Sequence, residues 1–160
     1  MKILRAFACL ALAATAGIAS AADTNPVVTY SKPAKFDDVR DDLKSAIEAR
    51  GLVVDYHAQI NRMLERTGKA VGSDRKLYAD AQAFVFCSAS LSRKMMEADP
   101  ANVAMCPFSI VVYATAQHPD QVHVSYRRPW RPDGSAASRS VLHEVDALLD
   151  AISREALGLK

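Results

Sequence analysis

The stretch FSIVVYATAQHPDQVHVSYR, Phe108–Arg127, decides the fold. Two runs rich in β-branched and aromatic residues, FSIVVYATA and QVHVSYR, are joined by QHPD, and the pair reads as a β-hairpin. In the second run Val122, Val124 and Tyr126 alternate with His123, Ser125 and Arg127. Successive strand residues point to opposite faces, so one face of this strand is apolar and the other polar. Such a strand belongs to a sheet covered on one side.

Outward from the hairpin, the covering elements follow. Downstream, RRPWRPDGSAAS is a loop by its Pro, Gly and Ser content, and a long helix over about 138–157 carries a stripe of Val141, Val145, Leu148 and Ile152, widened by Leu142 and Leu149. Upstream, AQAFVFC ends a strand at Cys87, and Ser88 caps a short helix with Leu91, Met95 and Ala98 inward and Asp99-Pro100 as its stop. GSDRKLYAD reads as a loop. INRMLERTGKAV has Ile60, Met63, Leu64 and Val71 at helical spacing, and LVVDYHA, Leu52–Ala58, is a strand. KFDDVRDDLKSAIEARG puts Phe36, Val39, Leu43 and Ile47 on one helical face, with Asp37 and Asp38 in the first turn, Arg50 in the last and Gly51 as the stop. VVTYS, Val27–Ser31, opens the series as a strand. The order β-α-β-α-β-α-β-β-α predicts an α+β domain with helices on one face of a sheet.

The chain has 160 residues and begins MKILRAFACLALAATAGIASAADTNP. Lys2 and Arg5 precede an uncharged stretch from Ala6 to Ile18, and Ala19-Ser20-Ala21-Ala22 supplies small residues for signal peptidase. This pattern predicts a secretory signal peptide over 1–22, with an apolar core too short to span a bilayer comfortably, and a single domain over 23–160 in the periplasm or outside the cell. Cys9 leaves with the signal. The chain holds 20 Lys and Arg against 18 Asp and Glu, so removing Lys2 and Arg5 leaves 18 against 18. A neutral chain without a basic run argues against nucleic acid as a partner. No other stretch is long and apolar enough for a membrane span.

Cys87 and Cys106 are then the cysteines of the mature chain, flanking a Met-rich segment. Three readings stay open. An even count in an oxidising compartment favours a disulfide. Two separately buried thiols are the bland alternative. A soft-metal site would recruit Met95, Met96, Met105, His57 or His123, but no close-set ligand motif links them and no metal ligand is assigned. A second candidate site is SYRRPWRP, Ser125–Pro132, where Arg127, Arg128 and Arg131 surround Trp130. With His123 and Ser125 this cluster has the chemistry to take a small anionic ligand, guanidinium on anion and indole as a stacking face. Solvated arginines beside a Trp that covers the core edge are the plain alternative. Nothing resembles a nucleophile triad, a phosphate loop or paired hydrolytic carboxylates, so no catalytic residue and no cofactor is assigned, and an enzyme is not favoured.

FDDVRDDLKSAIEARGL, CSASLSRKMMEADP and CPFSIVVY, in this order and spacing, resemble the bacterial domain-of-unknown-function 302 family. The resemblance covers roughly 27–129, and MEADP (Met96–Pro100) and PFSIVVY (Pro107–Tyr113) are its most telling pieces. Where many members have Pro-Cys, this chain has Pro107-Phe108, with its thiol two residues earlier at Cys106. The resemblance implies a curved antiparallel sheet, similar in layout to the TATA-box-binding-protein fold, and a homodimer. It brings no activity with it. An antiparallel sheet would set the end of the Cys87 strand beside the start of the next, within reach of Cys106, whereas parallel neighbours would place them at opposite ends. Two functional expectations result. One is a non-enzymatic periplasmic module, dimeric, binding a small ligand or a protein and stabilised by a disulfide. The other is a thiol-redox or soft-metal protein of copper type using Cys87 and Cys106.

Overall fold

In the computed structural model, which describes residues 25–160, the hairpin lies inside a five-stranded antiparallel sheet. The strands are β1 (Val27–Pro33), β2 (Val53–Gln59), β3 (Tyr78–Cys87), β4 (Phe108–Thr115) and β5 (Gln121–Arg127). Their order is β1-β5-β4-β3-β2, so the first strand pairs with the last. The helices are α1 (Phe36–Glu48), α2 (Ile60–Thr67), α3 (Ala89–Ala98) and α4 (Ala136–Ala156), with 3-10 turns at Lys69–Val71 and Pro100–Met105. The fold is the expected α+β class, an open sheet with helices. The predicted signal segment lies outside the described residues, and among those residues no helix is long and apolar enough to cross a membrane.

The period of two in β4 and β5 places the core. Phe108, Ile110, Val112 and Ala114 are buried, while Ser109, Val111, Tyr113 and Thr115 between them are half-buried. On β5 Val122, Val124 and Tyr126 are buried in the same layer. Register sets Ile110 opposite Tyr126 and Val112 opposite Val124, so the two apolar rows form one surface. Two helices cover it. α1 presents Val39, Leu43, Ala46 and Ile47 at helical spacing, and α4 presents Val141, Leu142, Val145, Leu149 and Ile152. α3 adds Met95, and β3 contributes Phe84 and Phe86.

Polar side chains fasten the layers. Ser135 accepts from the Ser138 amide at the start of α4, and Ser88 accepts from the Leu91 amide at the start of α3. Asn102 is fully buried in the second 3-10 turn. Its Nδ2 donates to the Met95 carbonyl (2.8 Å) and to Ser138 Oγ (2.9 Å), and its Oδ1 accepts from Arg131 (3.2 Å), so one amide ties α3, α4 and the loop before α4 together. On the flank of α4, Tyr30 donates to Asp150, Arg154 lies over the Tyr30 ring at 4.5 Å, and Arg128 meets Asp146. These contacts seat α4 on β1 and β5.

Some expected boundaries move. β1 runs on to Pro33, held by pairing with Gln121 of β5. β3 begins at Tyr78, inside the segment read as loop, because Tyr78 and Asp80 pair with Thr115 and Ala114 of β4. α4 begins at Ala136 rather than about 138, one residue after its Ser135 cap. The stripe of α2 does not continue to Val71. The helix ends at Thr67, Gly68 starts the tight turn, and Val71 is 73% exposed. Arg50 lies past the last turn of α1 and reaches back to the Ala46 carbonyl at 2.7 Å.

Leu43 sits at the α1–sheet contact with no solvent exposure. Leu43→Ala removes buried methylenes and leaves a cavity, at a cost of about 2–5 kcal/mol by urea unfolding. The exposed Val53→Ala on β2 is expected to change stability by no more than about 0.5 kcal/mol, as for an ordinary surface position.

Candidate functional site

The face of the sheet opposite the core is built from the other residues of the same strands. The helices packed against β1, β5 and β4 are α1 and α4, and both belong to the core layer. Among the described residues no helix packs extensively on the reverse face of these strands. Register puts Tyr113 of β4 opposite His123 of β5, and His123 opposite Ser31 of β1. The Tyr113 and His123 rings stack at 4.7 Å and 12°. Tyr78 of β3 meets the Tyr113 ring edge-on at 5.8 Å. One step along, Ser125 lies opposite Val111 on one side and Thr29 on the other, and the Ser125 and Thr29 hydroxyls hydrogen-bond at 2.8 Å. Arg127, opposite Val27, ends the row and is exposed. On β3 and β2, Val85 pairs with Tyr56, which is 64% exposed.

This surface is aromatic, aliphatic and hydroxylic, with charge only at its end. Burial, then the neighbouring His118, holds the His123 imidazole below its ordinary pKa of 6.5. A neutral ring stacked on a phenol suits contact with another uncharged surface, and nothing beside it forms a nucleophile with a base. His123, Ser125 and Arg127 of the sequence reading are thus brought onto one face.

The rest of that cluster is not. Arg128 pairs with Asp146 of α4 at 3.5 Å. Arg131 pairs with Asp99 (2.8 Å) and Asp133 (3.3 Å) and donates to Asn102. Trp130 is 52% exposed and packs edge-on against His143 of α4 at 5.9 Å. Two of the three arginines are engaged by carboxylates and hold the loop to the helices. They do not converge with Trp130 on one anion site.

The cysteines meet. β3 and β4 are antiparallel with Phe86 opposite Phe108, which brings the end of one strand beside the approach to the other. Cys87 Sγ and Cys106 Sγ lie 3.1 Å apart, with Ser92 Oγ of α3 at 3.6 Å from Cys106 Sγ. Burial, reinforced by the Cys106 thiol and the Asp55 carboxylate, pushes the Cys87 thiol up to about 11. A thiol so disposed is a weak nucleophile at neutral pH. Among the described residues no group of three His, Cys, Asp or Glu side chains is placed to hold a metal ion. Met95 is buried in the core, and His57 stacks on Phe84 at 4.2 Å while bonding Gln82 at 2.7 Å.

Sequence reasoning did not single out Tyr113, Tyr78 or Val111. The alternation of FSIVVYAT, split by parity as QVHVSYR was, carries that signal for Val111 and Tyr113. Asn102 gave none, being one polar residue in a turn until its burial is known.

A family model described as "Domain of unknown function DUF302" matches residues 27–156. That span extends the expected 27–129 through α4. Among solved structures, the crystal structure of an uncharacterized conserved protein DUF302 from Bacillus stearothermophilus matches with a TM-score of 0.68 at 13% identity, covering 83% of this chain and 99% of that chain. At this identity the likeness is one of fold. No curated protein matches.

The depressed His123 pKa gives stability a sign with pH. In the unfolded chain the ring takes a proton near 6.5, whereas in the folded chain it does so only at lower pH. The unfolded state therefore binds more protons between the two values. The His123 contribution is complete above about pH 6.5 and is lost as pH falls through the folded pKa. Urea unfolding of wild type and His123→Gln at pH 7.5 and 5 is expected to show a larger acid loss in the wild type, and equal losses would refute the assignment.

Proposed function

This chain belongs to the DUF302 family, and on that premise we propose that it is an exported, non-enzymatic binding module acting as a homodimer. The two copies meet through the helix-free face of the sheet, and a Cys87–Cys106 disulfide stiffens each one. The observation that carries the reading is the reverse face of β4 and β5. There Val111, Tyr113 and His123 are only partly covered by their own chain, and charge is confined to Arg127. A second copy would remove these rings and methyls from water and leave the hydroxyls of Thr29 and Ser125 bonded to each other. Export rests on the basic, apolar and small-residue succession of residues 1–22.

The disulfide reading is supported by the proximity of the two sulfurs, 3.1 Å, and by the compartment that export implies. Its formation would take two protons and two electrons from the thiols, passed to a disulfide donor that leaves as a dithiol. The raised Cys87 pKa favours a structural link over a reactive pair. The bond would close a loop around α3, restricting the unfolded chain.

Two measurements test this function. Light scattering on the purified protein is expected to return twice the chain mass. Tyr113→Glu, which puts a charge at the centre of the face, should weaken association by roughly 3 kcal/mol or more and give a folded monomer by circular dichroism. A monomeric wild type, or a variant that still dimerises, would end the proposal. For the cysteines, protein recovered from the exported fraction and unfolded without reductant should expose no reactive thiol at Cys87 or Cys106. Cys87→Ser and Cys106→Ser should each cost roughly 3 kcal/mol, and the double variant no more than either alone.

A further inference from the structure

Away from the sheet face and the cysteines, the segment between β2 and β3 encloses a cleft of about 450 Å³. α2 forms one wall and residues 74–78 the other. The cleft is built by the sequence. Gly68 is buried where α2 ends, and a Cβ there would lie 2.5 Å from the Ser73 carbonyl oxygen, so only glycine lets the return segment lie this close. The Ser73 amide donates to the Gly68 carbonyl at 2.8 Å, and Gly72 takes the left-handed conformation with φ of 74°. The two walls are thus pinned to each other by main chain.

The chemistry of the walls is unlike the rest of the surface. Arg66, Lys69, Arg75 and Lys76 line the cleft. Elsewhere more cations are matched than not, as in Arg40 with Asp37 and Asp41, Lys44 with Glu48, Arg50 with Glu155 and Lys94 with Glu144, while Lys32, Lys35, Arg62 and Arg127 are without an ion pair among the described residues. The four cations of the cleft make no ion pair or side-chain hydrogen bond among the described residues. Glu65 and Asp74 also line the cleft, again without pairing, which leaves a formal excess of two positive charges around one concavity. A net excess of positive charge held around one concavity is unfavourable, and a bound anion relieves it. Asn61, on the α2 wall, holds a buried Oδ1 with no donor, and a ligand hydroxyl or amine can supply one once the amide turns its oxygen out to the cleft. Tyr78 also lines the cleft.

We infer that this cleft is a binding site for a small phosphate-type dianion carrying a hydroxyl or amine. Guanidinium and ammonium groups from both walls hold the phosphate oxygens, and Asn61 takes the donor. The site is separate from the proposed dimer face and touches it only through Tyr78, whose ring meets Tyr113. It therefore stands or falls independently of the dimer.

The test titrates the purified chain at physiological salt with inorganic phosphate, pyrophosphate and glycerol phosphate, and with citrate as a carboxylate control, following backbone amide resonances. Saturable shifts gathered in residues 61–78 are expected with the phosphates, glycerol phosphate exceeding inorganic phosphate because it brings a hydroxyl. Lys69→Gln combined with Arg75→Gln, both exposed and without structural partners, should weaken binding about tenfold or more, as losing two charge-assisted contacts requires. Arg93→Gln, whose side chain lies on α3 and pairs with Glu97, should leave binding unchanged. The inference is overturned if no phosphate saturates at millimolar concentration, if shifts follow basic residues across the whole surface, if citrate binds more tightly than every phosphate, or if the double variant binds as the wild type does.

Discussion

The two-residue period of β4 and β5 divides the molecule. Ile110, Val112, Val122 and Val124 can satisfy one face only, and once α1 and α4 have covered that face no other described helix packs extensively on these strands. A sheet that alternated less strictly would need cover on both sides, as parallel sheets do. Here the arrangement of the interior and the availability of an exterior surface have the same cause. The stacking of Tyr113 on His123 is the exterior counterpart of the packing of Val112 against Val124, one residue along the same pair of strands.

The buried polar groups serve that division. Asn102 supplies hydrogen bonds where α3 ends, where α4 begins and where Arg131 returns from the loop, so the polar junction at the edge of the core is satisfied within the chain. Arg131 and Arg128 are drawn into the same task by Asp99 and Asp146. Their engagement explains why a segment that reads as an anion site, with three arginines around a tryptophan, is an anchoring loop. Arg66, Lys69, Arg75 and Lys76 have no such duties among the described residues, and their side chains line a cleft.

Much of this was legible in the residues. Element order and type follow from alternation in β5, from the stripes of α1 and α4, and from the cap at Ser88 and the stop at Asp99-Pro100, because these features act through nearest neighbours. The proximity of Cys87 and Cys106 needed one further fact, that β3 and β4 run antiparallel, which the family resemblance implied and local pattern could not supply. What stayed hidden depends on distant partners. Tyr78 reads as loop until Thr115 pairs with it, and Asn102 reads as a turn residue until Met95, Ser138 and Arg131 converge on it. The role of Gly68 likewise appears only when Ser73 folds back onto it. Arg128 and Arg131 carry the same lesson in reverse, since their carboxylate partners lie on elements far along the chain.

The strand order has a consequence for the timing of folding. β1 is the first of the described strands to be made, yet its only neighbour among the described residues is β5, with Val27 opposite Arg127. A chain that emerges N-terminus first holds β1 without a partner until residue 127 is clear, and α4, which rests on both strands, arrives later still. The β2–β3–β4 meander closes from shorter loops and can assemble before that. The last step is therefore the insertion of the oldest strand beside the youngest, a long-range closure that slows folding relative to a fold of local pairings. Until that insertion the meander can stand closed while β1 remains unpaired, so the edge strand is the last part of the sheet to become fixed.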